Sequence, residues 1–464
     1  MNTDNIESRL RDFEEKVKLR RFEEKVKRLK ELEKELDSLD TKGFESEVSA
    51  IKSKLKSTSR IPEIEREISG LKARIDDGKP VVEKCVFRLD TNPTYKIEIE
   101  SGANQGVYSV RLITPHYSSR PESADVGEDL LDYINKSIED VTEAMNRVRG
   151  VRGGEQEKIE EYSEEMLESL RDLGCILYKQ ILPSDVIGEL SKHQQIKCLQ
   201  MDISEDLGEY PWEVMHDDSN RDGFLGLKYA LGRSIQVRGV IKVPTEIRGD
   251  KLKALVIGDP LEGCEGGLPM ARKEAEEVVK KLEDAGVEVK TLIGKSATLP
   301  RVLPELGRGY DIIHYAGHAE FDMKKPRDSY LILRNKMHLK AKNITKQFEG
   351  KKKPIFAYIN ACKAGKRADR EEKVEDIEYA NDVPGLASAF MEKGICYIGS
   401  VWPIHDDASA DAAICFYENF LDGVSIGESL RRAKVEVYNK YNGKRAAWAG
   451  LVLYGNPTLT IVRG

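Results

Sequence analysis

The sequence predicts a mixed α/β protein whose C-terminal part forms a mostly parallel sheet flanked by helices. From residue 251 onwards, short apolar runs alternate with helical segments, and this alternation is typical of parallel sheets with right-handed crossovers. Strands that are apolar along their whole length indicate a sheet covered on both faces. In such sheets the functional site lies beyond the carboxyl ends of the strands. The predicted strands are KALVIGD, VEVKTLIG, DIIHYAG, KPIFAYINA, ICYIGSVW and WAGLVLYG.

The first 78 residues differ in composition from the rest and predict an α-helical or coiled-coil arm. They are rich in Glu, Lys, Arg and Leu, and their apolar residues recur at steps of three and four, as on one face of a helix. The hexapeptide FEEKVK begins at both Phe13 and Phe22, and this offset breaks the heptad phase. Two interpretations stay open. The arm is either a solvated helical hairpin packed on its neighbour, or a segment for self-association or for docking a regulatory protein.

The middle region predicts an α+β domain that precedes the large sheet. Alternation of period two in VVEKCVFRL, TYKIEIESG and VYSVRLI predicts three strands of a meander. Helices are predicted over residues 127–149 and 155–180. We therefore expect three domains: the arm at 1–78, the α+β region at 81–245 and the sheet domain at 250–464.

The composition predicts a cytoplasmic protein that binds neither nucleic acid nor membranes. The chain has 464 residues and a net charge of −7, which offers no general attraction for polyanions. Its apolar runs are shorter than the ~18 residues of a membrane span, and its first residues lack the apolar core of a secretory leader. The seven cysteines show no short-range pairing, which favours reduced thiols.

Two of the predicted strands run into reactive side chains. Strand 311–316 is followed by His318, and strand 354–359 is followed by Cys362. If these strands are neighbours, an imidazole and a thiol lie at the same edge of the sheet. A nearby histidine raises the thiolate fraction of a cysteine or takes its proton during attack, so the pair predicts nucleophilic catalysis. The backbone N–H groups of Ala319 and Cys362 are candidates for an oxyanion hole. On position alone, a histidine at the end of a strand such as His318 is more often a hydrogen-bonded structural residue.

Metal and nucleotide sites are less well supported by the sequence. His314 and His318 have the spacing of a zinc pair on a helix, but the residues between them predict a strand, on which they are about 13 Å apart. Tyr315 also stands where a metallopeptidase has glutamate, so we expect His314 to be structural and no metal to be bound. The run GKS at 294–296 resembles the end of a phosphate loop, but Val289 replaces its first glycine. No cofactor is therefore expected.

A resemblance to a known family adds to this interpretation. The runs YAGHAEF, INACKAG, GLASAFMEKGICYIGSVWPIHDDAS, FYENFLDGVSIGESLRRAK and GLVLYGNP resemble, in this order, the CHAT family of the caspase-like clan, which also contains gingipains and separase. The resemblance covers 174–464, since LGCILYKQILP, YPWEVMHD and LGRSI are similar to the family's upstream part. It implies a caspase-like sheet of six strands and a catalytic dyad at His318 and Cys362. Relatives usually carry glycine at the position of Ala319, and many carry an acid at that of Lys363.

The resemblance also implies an activity. We expect a regulated cysteine endopeptidase that acts on a protein substrate, in a class associated with antiviral defence and cell death in bacteria and archaea. Specificity in this clan comes from a pocket beyond the strand that follows the nucleophile, where Trp402, Asp406 and Asp407 are the candidate substrate-binding residues. A carboxylate in a pocket binds a cationic side chain, so we predict cleavage after Arg or Lys. The alternative is that Asp406 only caps a helix beginning near Ala408.

Two further expectations concern regulation and the competing hypothesis. The segment 363–382 is charged and poor in apolar residues, which predicts a loop beside the nucleophile. Caspases are processed in the corresponding linker, so Lys366, Arg367 and Arg370 are candidate sites of self-cleavage. The competing hypothesis is an inert caspase-like scaffold that serves protein interactions. The presence of both dyad residues within intact motifs weighs against that scaffold.

Overall fold

The computed structural model describes most of the chain from residue 85 onwards. Of the residues before it, only 27, 30, 31, 34, 51 and 68 are described. The other described residues are 85–89, 95–102, 104, 106–116, 118–150, 156–192, 198–204, 207–208, 210–218, 223–235, 246–249, 252–320, 329–363, 385–402, 404 and 406–463. Among these, the description covers the backbone alone at 85–89, 148–150, 156–159, 246–249, 362–363, 385, 388, 406 and 462–463.

The chain divides into two compact units, Met1–Glu83 and Lys84–Gly464. The arm predicted for residues 1–78 lies outside the described residues apart from single positions, so its coiled-coil character stays a prediction. All strands and helices named below belong to the second unit.

The second unit contains sixteen strands within its described residues. In order they are β1 (Cys85–Leu89), β2 (Tyr95–Ser101), β3 (Val107–Ile113), β4 (Glu122–Asp125), β5 (Cys198–Ile203), β6 (Ala230–Ile235), β7 (Glu246–Gly249), β8 (Lys253–Gly258), β9 (Glu288–Ile293), β10 (Ile312–Glu320), β11 (Tyr330–Leu333), β12 (Met337–Lys340), β13 (Phe356–Lys363), β14 (Cys396–Ser400), β15 (Leu451–Tyr454) and β16 (Leu459–Arg463).

The helices in the same order are α1 (Glu128–Gly150), α2 (Gln156–Ile181), α3 (Ser184–Lys192), α4 (Leu225–Lys228), α5 (Pro269–Asp284), α6 (Leu299–Leu306), α7 (Ala341–Gln347), α8 (Gly385–Met391), α9 (Asp406–Leu421), α10 (Ile426–Lys440) and α11 (Ala447–Gly450). None of the helices in the described ranges combines the length and the apolar character that crossing a membrane requires.

Local sequence signals explain where two of these helices begin. Pro269 stands in the first turn of α5, where its fixed φ suits a helix and its missing N–H costs no hydrogen bond. At the start of α10, the Ser425 hydroxyl accepts a hydrogen bond of 3.4 Å from the backbone N–H of Glu428. Serine followed three residues later by glutamate is the sequence pattern of a capping box.

A mixed sheet of thirteen strands runs through the described part of the second unit. Its order is β9-β8-β10-β13-β14-β15-β6-β5-β2-β3-β4, and the hairpin β11-β12 pairs with the last residues of β10. Strands β8, β9, β10, β13 and β14 are mutually parallel, whereas β15 is antiparallel to β14. The predicted α/β architecture, with a largely parallel sheet flanked by helices, is thus confirmed.

The sheet is wider than the six strands expected from the family resemblance. The six predicted strands are β8, β9, β10, β13, β14 and β15, and they lie next to one another. Beyond β15 the sheet continues into β6, through the register Tyr454 to Arg233. The upstream region and the predicted sheet domain therefore share one sheet.

The predicted meander needs a correction at its first strand. Strands β2 and β3 pair antiparallel as predicted, but β1 lies between β7 and β16 in a separate three-stranded sheet. Alternation of period two reveals that a segment is a strand, but it does not identify the partner. The partners of β1 are far away in the sequence and could not be read from local pattern.

The centre of the large sheet is buried on both faces. All five residues of β14 are buried, as the continuous apolar pattern predicts. Helix α9 packs between α5 and α10, contacting both. In the same way, α7 contacts both α6 and α8. Tyr358 of β13 packs against Phe416 and Tyr417 of α9, so α9 covers the face of the sheet to which Tyr358 belongs.

Candidate active site

Strands β10 and β13 bring the two predicted dyad positions together. They pair in parallel from Ile312 opposite Phe356 to Ala319 opposite Lys363, and in this register His318 lies opposite Cys362. Neighbouring strands are about 4.8 Å apart. The backbones of the two positions are therefore adjacent at the carboxyl end of the sheet. The side chains of Cys362 and Lys363 lie outside the described part of the chain.

The imidazole of His318 is held by a backbone carbonyl group. Its Nε2 atom lies 2.7 Å from the carbonyl oxygen of Gly266. A carbonyl oxygen can only accept a hydrogen bond, so Nε2 must carry the hydrogen. In the neutral ring Nδ1 then holds the lone pair and is the atom able to take a proton. The His318 side chain as a whole is half-buried.

Gly266 belongs to a loop that is fixed by its own hydrogen bonds. The Asp259 carboxylate accepts a hydrogen bond of 2.9 Å from the backbone N–H of Leu268, which closes the loop between β8 and α5. Glu262 binds Arg272 through its side chain, and its carbonyl oxygen accepts a hydrogen bond from another arginine. Gly266 itself has φ of +90°, a conformation that favours glycine. These contacts determine where the carbonyl that receives His318 lies.

Position 319 tolerates alanine in place of the glycine that relatives usually carry. Ala319 is buried within β10, opposite Leu331 on one side and Lys363 on the other. It is not among the described residues with positive φ, so the methyl group causes no backbone strain. The role of its N–H in an oxyanion hole stays a prediction.

His314 lies deeper in the sheet, as expected for a structural residue. It is four residues before His318 on β10 and is 0% exposed. Its ring contacts the side chains of Glu274 and Tyr417. Glu274 was not singled out by the sequence, because a glutamate inside an otherwise charged helix gives no local sign that it points into the core.

The described residues also contain a second pair of cysteine and histidine, near α2. Cys175, His216 and Asp218 place possible metal-ligating atoms within 4.8 Å of one another. However, Nδ1 of His216 already accepts a hydrogen bond of 3.0 Å from the backbone N–H of Asp218. Arg171 and Lys179 both bind the Asp218 carboxylate, so the donor set does not fit a metal ion. Burial and the charge of Asp218 raise the pKa of the Cys175 thiol, which makes it a poor nucleophile.

The predicted specificity residues lie around the start of α9. Trp402 is only 4% exposed and packs in the core. Asp407 accepts a hydrogen bond of 2.8 Å from the backbone N–H of Ala408, and its other oxygen lies 3.7 Å from Arg445. Asp406 is the first residue of α9, and its side chain lies outside the described residues. Substrate binding by these residues stays a prediction.

The predicted sites of self-cleavage, Lys366, Arg367 and Arg370, also lie outside the described residues. Nothing in the described geometry therefore bears on processing of this loop.

Comparison with known proteins identifies the family. Residues 167–456, more than half of the chain, match the model of the CHAT domain. The chain belongs to the CHAT domain family, which confirms the resemblance seen in the sequence. No match was found among curated proteins.

Several solved structures are similar in fold to this chain. The Arg-specific cysteine proteinase gingipain R has a TM-score of 0.41 at 10% identity, over 65% of this chain and 76% of its own. The complex of the pro- and mature domains of the same enzyme from Porphyromonas gingivalis has a TM-score of 0.42 at 12% identity, over 71% and 78%. The Saccharomyces cerevisiae separase–securin complex has a TM-score of 0.48 at 11% identity, over 89% of this chain and 33% of that chain.

Proposed function

We propose that this protein is a cysteine endopeptidase in which Cys362 is the nucleophile and His318 the general base. The observation that carries the proposal is the register of β10 and β13, which pairs these two positions at the carboxyl end of the sheet. Membership of the CHAT family supports the same assignment.

The contact between His318 and Gly266 suggests how protons move. Nδ1 of His318 takes the proton from the Cys362 thiol, and the sulfur attacks the carbonyl carbon of the scissile peptide bond. The imidazolium that forms keeps its Nε2–H bonded to the Gly266 carbonyl, whose negative end favours the positive ring. The imidazolium then gives its proton to the leaving amine. Water attacks the resulting thioester, with His318 again as base, and releases the second product and the free thiol.

The finer parts of the function are proposals of the same kind. The substrate is a protein, cleaved after Arg or Lys through a pocket that contains Asp406. The enzyme is regulated, with residues 1–78 serving self-association or binding of a regulatory protein, and with self-cleavage near Arg367 or Arg370. Its pathway is prokaryotic defence or cell death, and it acts in the cytoplasm.

Loss of activity in single dyad variants tests the proposal. Cys362→Ala and His318→Ala should each lower turnover of fluorogenic peptides by about a thousandfold or more, and the double variant should be no worse, because the two residues act as one unit. Melting temperatures close to that of the wild type would show that the variants are folded. Comparable turnover by wild type and folded Cys362→Ala would contradict the proposal, and absence of turnover in all of them would favour the inert scaffold.

Protein substrates need a broader search. Mapping of new protein N-termini in cells that express the wild type, beside cells that express Cys362→Ala, should reveal cleavage sites present only with the wild type. Basic residues before those sites are the expected result.

A further inference from the structure

A buried carboxylate contacts both strands that carry the proposed dyad. Glu274 of α5 is 1% exposed. One of its oxygens accepts a hydrogen bond of 2.6 Å from the side-chain amide of Asn360 on β13. Its other oxygen lies 3.2 Å from Nε2 of His314 on β10. A single side chain from the covering helix thus connects the strand of the nucleophile to the strand of the base.

The contacts of Glu274 with the two strands differ in kind. On β13 it accepts the hydrogen bond from Asn360. On β10 it lies 3.2 Å from Nε2 of His314, but this buried ring nitrogen makes no hydrogen bond within the described part of the chain. The Tyr417 hydroxyl lies 3.3 Å from Nδ1, at the other edge of the same ring. Glu274 is thus hydrogen-bonded to the strand of the nucleophile and packed against a buried histidine ring on the strand of the base.

The two buried tyrosines beside this carboxylate stay neutral. Burial raises the pKa of Tyr358 and of Tyr417 well above the usual value, and the charge of Glu274 raises both further. Their hydroxyls therefore act as dipoles rather than charges.

The position of this cluster relates it directly to the proposed dyad. Asn360 lies opposite Ala316 in the register of β10 and β13, one pair below the pair of His318 and Cys362 on the same face. Positions two apart along a strand belong to the same face. His314 is one pair further down on that face, opposite Tyr358. The cluster of Glu274, His314 and Asn360 is therefore the layer directly beneath the dyad.

Stability alone does not account for a charge in this place. Apolar side chains of similar volume commonly stabilise a core as well as a buried charged pair does, whereas a hydrogen-bonded charged group fixes geometry. Two strands that only pair through their backbones can tilt or shift at their ends. A carboxyl group that is hydrogen-bonded to Asn360 of β13 and packed against His314 of β10 restrains such movement next to the reacting groups.

We propose that Glu274 is a positioning residue, which holds β10 and β13 through His314 and Asn360 so that His318 and Cys362 stay aligned. This inference rests on the proposed function, since alignment matters only if the pair reacts. Glu274 touches neither substrate nor the reacting atoms, so its removal should lower kcat and leave KM nearly unchanged.

Variants of Asn360 test the inference without removing the charge. Asn360→Ala breaks the hydrogen bond, and we expect kcat to fall about tenfold or more with KM within about twofold of the wild type. Asn360→Asp places two carboxylates side by side and should be at least as harmful. Exchange of the two groups in Glu274→Gln/Asn360→Asp restores an amide facing a carboxylate, and should recover most of the activity that Asn360→Asp loses.

A matched variant controls for general loss of stability. Val278→Ala removes methyl groups from the core side of the same helix α5 and should lower the melting temperature with kcat unchanged at a temperature where it is folded. The rate of alkylation at Cys362, followed by mass spectrometry of its peptide, should fall in Asn360→Ala and not in Val278→Ala.

The outcomes separate this inference from the proposed function. Wild-type kcat and alkylation rate in folded Asn360→Ala would overturn the inference while leaving a functioning dyad. The inference would also be overturned if kcat of the exchange variant were no higher than kcat of folded Asn360→Asp. If Asn360→Asp does not fold, the comparison of Asn360→Ala with Val278→Ala decides. Absence of peptide turnover by the wild type would refute the proposed function, and the alkylation rates would still report on positioning.

Discussion

The carbonyl oxygen of Gly266 and Nε2 of His318 are 2.7 Å apart although 52 positions separate them in the chain. This contact sets the tautomer of the ring, and Gly266 makes it in a backbone conformation with φ of +90°, which favours glycine. A side chain at this position would meet Leu261 at 3.2 Å. The first prediction follows from this arrangement.

Gly266→Ala should impair catalysis more than it impairs folding. The new methyl group strains the backbone by about 1–3 kcal/mol and moves the carbonyl, so kcat for a fluorogenic peptide should fall about tenfold or more. Gly263→Ala is the matched control, since Gly263 also has positive φ in the same loop and has open space around it. Gly263→Ala should lose stability but keep kcat. Equal kcat in the two variants would show that the Gly266 carbonyl does not orient His318.

The second prediction concerns Lys434, a lysine of α10 that is only 3% exposed. Burial lowers its pKa from 10.5 to about 8, and the neighbouring Arg233 lowers it too, while Glu213 opposes the shift. One pKa unit corresponds to about 1.4 kcal/mol. Below pH 8 the folded protein must hold this lysine charged, at a cost of about 3 kcal/mol. Lys434→Met should therefore raise the free energy of unfolding at pH 7 by about 2–3 kcal/mol.

The pH dependence gives this prediction its sign. Between pH 8 and 10.5 the unfolded chain binds more protons at this lysine than the folded one, so wild-type stability should rise with pH relative to Lys434→Met. Urea unfolding at pH 7 and at pH 9.5 measures the difference. Lys440→Met, in the same helix but at an exposed lysine paired with Asp411, should show little effect at either pH. If Lys434→Met were more stable than the wild type by the same free energy at both pH values, the explanation would be wrong.

The third prediction concerns specificity. Peptides ending in Arg, Lys, Asp and Leu should be cleaved with preference for Arg or Lys, because a carboxylate in the pocket attracts a cation and repels an acid. In Asp406→Ala, cleavage of the Arg and Lys peptides relative to the other peptides should fall about tenfold or more. Asp422→Ala changes the net charge equally just beyond the other end of α9 and should keep the preference. An unchanged preference in Asp406→Ala would refute the assignment, and preference for Asp or Leu in the wild type would refute the pocket.

The fourth prediction concerns the arm. Deletion of residues 1–78 should leave a folded peptidase, because the large sheet and its core lie within Lys84–Gly464. Its mass in solution, measured by light scattering, or its dependence on an activator should change. Recovery of only insoluble protein would show that the arm is part of the core.

The strands that carry the candidate site could be predicted from the sequence. Continuous apolar runs ending in Gly317 and Asn360 indicate buried parallel strands, and the carboxyl ends of such strands meet at one edge. The pattern therefore predicts that the backbones of His318 and Cys362 lie together, as they do in the register of β10 and β13. The contact with Gly266 could not be predicted, since it depends on the direction of a carbonyl in a loop. The partners of β1 were missed because pairing across long separations leaves no local pattern.

Strand β15 has a consequence for how the molecule is made. It pairs with β14 on one side and with β6 on the other, and it follows both of them in the chain. During synthesis the strands of the dyad and the upstream strands leave the ribosome before the segment that joins them. Until Leu451–Tyr454 arrives, β6 and β14 each have an unpaired edge, which is a template for wrong pairing. A chain interrupted before Leu451 would therefore leave both of these strand edges open to wrong pairing.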